Sequence, residues 1–350
     1  MRKCGSRLDG AASMYRRFRK IGFIAAAGVG SFAVPEASAQ VVGATAVLEV
    51  LQDNLATPTT VAVVNDLAFV PEGDLARLGV LGGLFRTRAV ALDGTGLVGS
   101  SAVRVLHTGN DFFPEGVAAD PVTQDLFVGS IFTGQIEQFS GGIRSRFLGR
   151  APNATLQRGA VGMKVDNARG LLWVCDTNLG GNIAGGTLVG VSLDDASAII
   201  RHELPDDSFC NDMVLDAAGN IFVAESFVGT VFRLDAANAL TENSLEQFLQ
   251  VAEIAPPEPG QFGANGVALM GDVLLVSNTF GGTLVRVDLT LDDPADGVST
   301  VAIAEGDDPN AILSGPDGLL PISDTELLLV ENGFAGNNLT RLVKLTFDLQ

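Results

Sequence analysis

The 350-residue sequence predicts an all-β fold, a six-bladed β-propeller with four antiparallel strands per blade, closed by an N-terminal strand. Repetition is the first observation behind this. Segments led by Asn65, Glu115, Val161, Asn211, Asn265 and Asp317 each run into a short apolar strand, and the steps between these residues are 50, 46, 50, 54 and 52. Such a period marks an array with one supersecondary unit per repeat. The second observation is the pattern inside each unit, where short β-rich runs alternate with turns bearing Gly, Asp or Asn. The third concerns the chain ends. After Asp317 there is room for three strands, and the early run Ala46 to Leu51 supplies the missing fourth, so joining first to last leaves no open edge.

In chain order, residues 1–39 read as a secretory signal peptide and residues 40–350 as the propeller. Arg16, Arg17, Arg19 and Lys20 precede an apolar run of 14 residues from Ile21 to Val34, and Ala37-Ser38-Ala39 offers small residues for cleavage. That run is too short to span a bilayer, so the expected location is periplasmic or secreted. The unit from Asn65 is the least regular: Leu75 to Arg88 reads as a helical or irregular insertion, and Val103 to His107 as a strand ahead of Glu115. The unit from Glu115 continues with Leu126 to Gly129 and Gln135 to Phe139. The unit from Asn211 shows the plan most plainly, with strands at Met213 to Leu215, Ile221 to Glu225, Thr230 to Leu234 and Glu246 to Val251. Val273 to Ser277 and Thr283 to Val287 repeat it after Asn265, and Leu319 to Ile322, Glu326 to Glu331 and Thr340 to Phe347 follow Asp317.

The formal net charge is −19, and with the leader set aside 15 basic residues face 39 acidic ones. Such a surface repels phosphate backbones and anionic lipid, so nucleic acid and membrane are not expected partners, whereas a small molecule is. Cys175 and Cys210 remain after the leader; a disulfide and two buried thiols are both open to them.

Strands of a blade run outward from the central channel, so the residues that open the innermost strands converge at one end of the axis. Glu115, Asn211, Asn265 and Asp317 would then meet. Two carboxylates with two amide oxygens suit a hard divalent cation, Ca2+ first, with Mg2+, Mn2+ or Zn2+ as alternatives. The competing reading is local, since Asn-Gly, Asp-Gly and Asn-Asp are ordinary β-turn formers. Asp176, Glu225 and Glu331, with Ser130, Asn178 and Asn278, fall where second strands end; they are candidates for a pocket rim, as are Asn65 and Phe209, or else solvated turn residues. His107 and His202 fall in or beside outer strands, away from the axis. No GxSxG, HExxH, Walker or dinucleotide fingerprint supports another enzyme class.

The segments FPEGVAADP, FCNDMVLDAAGNIFVAES, GANGVALMGDVLLVSNT and GPDGLLPISDTELLLVENG resemble the successive blade starts of the senescence-marker-protein, gluconolactonase and luciferin-regenerating-enzyme family, over about residues 110 to 335. The resemblance implies a six-bladed propeller with one divalent metal in its channel that hydrolyses sugar lactones or organophosphate esters. It implies Glu115, Asn265 and Asp317 as metal ligands, Asn211 as the contact to substrate or metal-bound water, and Asp317 as general base. The chain departs from the family pattern at Phe209, where Arg is frequent, at Ala264, where Pro is frequent, and at Val117, where Pro is usual. The expectation is an exported, metal-dependent hydrolase of small lactones or esters; the alternative is a non-catalytic propeller that binds a ligand or a protein.

Overall fold

The computed structural model describes residues 42–52, 55, 58–64, 67–73, 85–92, 96–97, 104–106, 112–177, 185–334 and 339–349. The expected signal peptide, Asn65, His107 and Asn178 lie outside the described residues. The fold is all-β, with only two short 3-10 turns, at Ala236–Asn238 and Pro294–Gly297, among the described residues.

Three consecutive four-stranded sheets follow one plan. The first is β7 (Pro114–Ala119), β8 (Leu126–Ser130), β9 (Ile136–Ser140) and β10 (Ile143–Leu148), and the next is β11 (Ala160–Asp166), β12 (Leu171–Asp176), β13 (Thr187–Ser192) and β14 (Ala198–Glu203). The third is β15 (Cys210–Leu215), β16 (Ile221–Glu225), β17 (Thr230–Leu234) and β18 (Glu246–Gln250). A fourth, β19 (Ala264–Met270), β20 (Val273–Asn278), β21 (Thr283–Asp288) and β22 (Val298–Thr300), repeats it. In each, neighbours in sequence pair antiparallel, as short turns dictate.

The closing sheet behaves as the chain ends predict. β24 (Pro316–Pro321), β25 (Glu326–Glu331) and β26 (Arg341–Leu349) are completed by β1 (Val42–Gln52), antiparallel to β26, with β23 (Ala302–Ala304) added parallel at the edge. Arg341 pins this junction: buried, it donates to Glu331 and bridges to Glu305 at 2.6 Å.

The remaining sheet corrects the expectation of six equal units. β2 (Ala62–Val64), β3 (Leu67–Gly73), β4 (Phe85–Ala91) and β5 (Gly96–Leu97) form it, and β6 (Arg104–Leu106) also pairs with β4. Five sheets therefore carry the regular four-strand blade, where six were predicted. The cause is local: β3 and β4 pair over seven residues each, while inner β2 has three. The inner strand also starts earlier than the repeat suggested, since Thr59 accepts the Gly318 N–H at 3.0 Å and its hydroxyl donates to the Glu115 carbonyl at 2.9 Å.

Packing explains why the second strands lack period-two alternation. β8, β12, β16 and β20 are buried at every position, because each sheet has a neighbour on both faces. Leu172 and Val174 meet Ala118 and Phe127 on one side, for instance, while Leu171 and Trp173 meet Met213 and Ile221 on the other. Edge strand β10 is exposed at its first four positions and carries the charges.

Close approach at the axis depends on glycine. A Cβ on Gly116 would overlap the Val161 carbonyl oxygen, one on Gly266 the Asp317 carbonyl, so each inner strand lies against the backbone of the next. Gly116→Ala is expected to lower unfolding stability by about 2 to 3 kcal/mol in urea titration, through overpacking against backbone that cannot yield. Gly149→Ala, where nothing lies within 4 Å of the added atom, should stay within about 0.5 kcal/mol.

Candidate metal centre

The five regular inner strands share one irregularity. Pro114 pairs with Ser130 and Val117 with Val128, so Glu115 and Gly116 together oppose the single residue Gly129. The same two-against-one bulge sets Val161-Gly162 against Cys175, Asn211-Asp212 against Ala224, Asn265-Gly266 against Ser277, and Asp317-Gly318 against Val330. A bulge bends the strand and re-aims a side chain. These dipeptides therefore sit inside strands and do not cap turns, which settles the local alternative against β-turns.

The result is convergence. Glu115, Asn211, Asn265 and Asp317 line one pocket with Thr59, Asn332 and an apolar wall. The same four also line a void of about 10 Å³ beneath, with Thr60, Gly162, Asp212 and Gly318. They thus form a polar partition across the channel between the two spaces. Val161, at the equivalent place, is buried in the apolar core instead.

Neighbouring side chains fix the partition by a repeated device. Asn211 Nδ2 donates to Ser226 Oγ at 2.9 Å, and Ser226 Oγ donates to the Ala264 carbonyl at 2.6 Å. Asn265 Nδ2 donates to Thr279 Oγ1 at 2.8 Å, which donates to the Pro316 carbonyl at 2.9 Å. Asn332 Nδ2 donates to Asp317 Oδ2 at 2.7 Å. With its amide nitrogen so engaged, Asn265 keeps its Oδ1 buried with no hydrogen-bond partner among the described residues. A buried acceptor left unmatched costs about 1 to 3 kcal/mol.

The electrostatics carry the same imbalance. Burial pushes the Glu115 carboxyl well above the usual carboxylate range, and the nearby Asp317 and Asp212 charges push it further. Burial also lifts Asp317 well above its usual range; the Asn332 amide pulls it back, and Asp212 raises it again. Asp212, raised by burial and drawn down by Lys164, stands just below the partition. Among the described residues no trio of His, Cys, Asp or Glu side chains forms a metal cluster; the donor set here mixes two carboxylates with two amide oxygens. An orphaned oxygen lining the same pocket as two buried carboxylates whose charges are disfavoured fits a hard cation with oxygen ligands.

Several rim candidates have another role. Asp176 accepts the N–H groups of Gln157 and Arg158, both at 2.7 Å, and Glu225 those of Phe209, Phe227 and Val228, at 3.0, 2.7 and 3.0 Å. Glu331 accepts from Ser314 N at 2.6 Å, while Asn278 Nδ2 donates to the Glu253 and Ala255 carbonyls. Asp176, Glu225 and Glu331 fasten the loop entering the inner strand of their own sheet; all three are buried and none lines the pocket. Phe209 does line the pocket, and Thr59 stands at the first sheet's contribution, where the sequence had pointed to Asn65.

The polar partners that sequence reasoning missed, Ser226, Thr279 and Asn332, each follow the last residue of a second strand. Aligning Glu225-Ser226, Asn278-Thr279 and Glu331-Asn332 across units exposes that signal. Cys175 and Cys210 form a disulfide with Cα atoms 5.3 Å apart, joining β12 to the start of β15 beside Asn211. Its 35-residue separation is worth about 3 to 4 kcal/mol in chain entropy. His202, the one described histidine, sits in outer strand β14 with Nε2 3.0 Å from the Ala239 carbonyl, off the axis as expected.

Among solved structures, virginiamycin B lyase from Staphylococcus aureus aligns with 13% identity and a TM-score of 0.53, covering 85% of this chain and 99% of its own. A streptogramin B lyase aligns with 13% identity and a TM-score of 0.55, covering 86% of this chain and 97% of its own. A protein of unknown function from Bacteroides thetaiotaomicron aligns with 12% identity and a TM-score of 0.59, covering 86% of this chain and 76% of its own. These likenesses establish the propeller fold. No protein-family model matches the chain, and no curated protein matches it in sequence.

Thr279→Val removes the hydroxyl that both accepts from Asn265 and donates to Pro316. It is expected to lower stability by about 1 to 3 kcal/mol, since two buried polar groups lose their partner; thermal and urea unfolding measure this.

Proposed function

We propose that this is an exported, divalent-metal-dependent hydrolase of small lactones or esters, on a propeller whose irregular first sheet completes the ring as a sixth member. Its likeness to the senescence-marker-protein and gluconolactonase family is part of that reading. One observation carries it: a buried, unmatched Asn265 Oδ1 stands with Glu115 and Asp317 on the floor of one pocket. The disulfide supports export, since such bonds persist in oxidising compartments.

Glu115, Asn265 and Asp317 would hold the ion, with Ca2+ favoured by an all-oxygen set. Bound there, the ion would supply Lewis acidity at the substrate carbonyl and a more acidic water. The protein's own residues do the rest. Asn211, its Nδ2 held by Ser226, presents Oδ1 to the substrate or the attacking water. Asp317 accepts the proton of that water during attack, and Asn332 on Oδ2 fixes which carboxylate oxygen remains available. The apolar wall lowers the local polarity around the floor and so strengthens these interactions.

Chelator-treated protein titrated with Ca2+ should gain stability, by about 2.7 kcal/mol at one hundred times the Kd. Asp317→Asn should lose most of that gain, and lactone and aryl-ester hydrolysis should disappear in chelator. Absence of Ca2+, Mg2+ and Mn2+ binding would overturn the metal reading. Tight binding with no turnover on any lactone or ester would instead favour a non-catalytic binding propeller.

A further inference from the structure

The wall above the polar floor is aromatic. Phe113, Phe132, Phe209, Phe262, Phe334 and Ile131 line it, while every polar lining group lies among the four partition residues, Thr59 and Asn332. The rings support one another: Phe113 and Phe132 meet edge to face at 5.7 Å, and Phe209 contacts Phe262 at 5.1 Å. Phe227, behind them, stacks on Phe262 at 5.4 Å with an interplanar angle of 15°. Glu225 holds the Phe209 backbone, so this wall is preformed. The pocket holds about 60 Å³, against about 10 Å³ for the void beneath the floor, and it is open at its mouth.

No Lys, Arg or His lines it among the described residues, so the protein offers an anionic ligand no basic partner, and the charge of a divalent ion held there would already be matched by the Glu115 and Asp317 carboxylates. Polyhydroxylated ligands are disfavoured as well: Asn211, Asn265 and Asn332 each already give one amide N–H, to Ser226, Thr279 and Asp317, and the wall above them offers no polar side chain. The floor oxygens of Glu115, Asn265 and Asp317 can accept from hydroxyls at one edge of a sugar ring, but the hydroxyls turned to the phenylalanine wall would stay unmatched, which is costly.

We infer that this pocket selects an uncharged, largely apolar molecule, an aryl or alkyl body held by the phenylalanines with a single ester or lactone carbonyl directed at the floor, and that Phe209, Phe262 and Phe334 set this specificity. The assignment of the carbonyl end rests on the proposed hydrolase; the apolar body does not.

Calorimetric titration with 2-tetralone, a non-hydrolysable carbocyclic analogue of dihydrocoumarin, tests this on the full chain, with and without Ca2+, against glucono-δ-lactone. The 2-tetralone is expected to bind at least about tenfold tighter than the sugar lactone, as burial of an aromatic ring favours it. Phe334→Ser, at a residue 46% exposed at the pocket mouth, should fold normally and weaken 2-tetralone about fivefold. Phe262→Leu, which keeps an apolar side chain, is a second variant and should weaken it less. Equal or tighter binding of glucono-δ-lactone, or affinity for 2-tetralone untouched by both substitutions, would overturn the inference. Binding of 2-tetralone without Ca2+ binding or ester turnover supports the inference while removing the hydrolase.

Discussion

The close approach of successive inner strands is the constraint from which the site follows. Gly116, Gly162, Gly266 and Gly318 each bring a strand against the backbone of the next, at distances that no side chain would permit. The bulge that contains each glycine frees the preceding residue from the regular pleat. Position and direction are thus set together: a narrow channel, and a side chain aimed across it. Residues as distant in sequence as Glu115 and Asp317 become neighbours through this backbone feature, before any attraction between them is considered.

That arrangement has an electrostatic consequence. Glu115 and Asp317 are held where burial and neighbouring carboxylates, Asp317 and Asp212 for the first and Asp212 for the second, disfavour both charges, and Asn265 contributes an oxygen with no donor to meet it. Such a centre is destabilising as it stands, and the fold tolerates it because six apolar clusters among the described residues pack the junctions between sheets. Local conflict at one point of a consistently packed fold is the pattern expected of a functional site. The ring of phenylalanines above adds a second contrast, polar floor against apolar wall, which gives any bound molecule one orientation.

Much of the fold could be read in the sequence, because periodicity reports strands directly. The second and third strands after Asn211 match β16 and β17 residue for residue, and the early strand does complete the closing sheet. The first unit was misread where its pattern is weakest: the run from Leu67 looked like an inner strand, whereas it is the second strand of its sheet, and Thr59 and Thr60 reach the site. Of the site residues, Glu115, Asn211, Asn265 and Asp317 were identifiable from their recurring position. The role of Asp176, Glu225 and Glu331 was not, because a carboxylate that accepts backbone N–H groups and one that faces a ligand look alike in a sequence. Of the aromatic wall only Phe209 was singled out: Phe113 shares its place two residues before the leading residue, but Phe262 stands three before and Phe334 follows a second strand instead, so the wall does not show as one repeated position.

The central claim is that a single divalent cation occupies the partition between the aromatic pocket and the void below. Anomalous diffraction from crystals grown with Mn2+ tests it most directly. One strong peak is expected about 2.1 to 2.5 Å from oxygens of Glu115, Asn265 and Asp317. A channel without a peak, with Mn2+ found only on surface acidic turns such as Asp292-Asp293 or Asp307-Asp308, would contradict it.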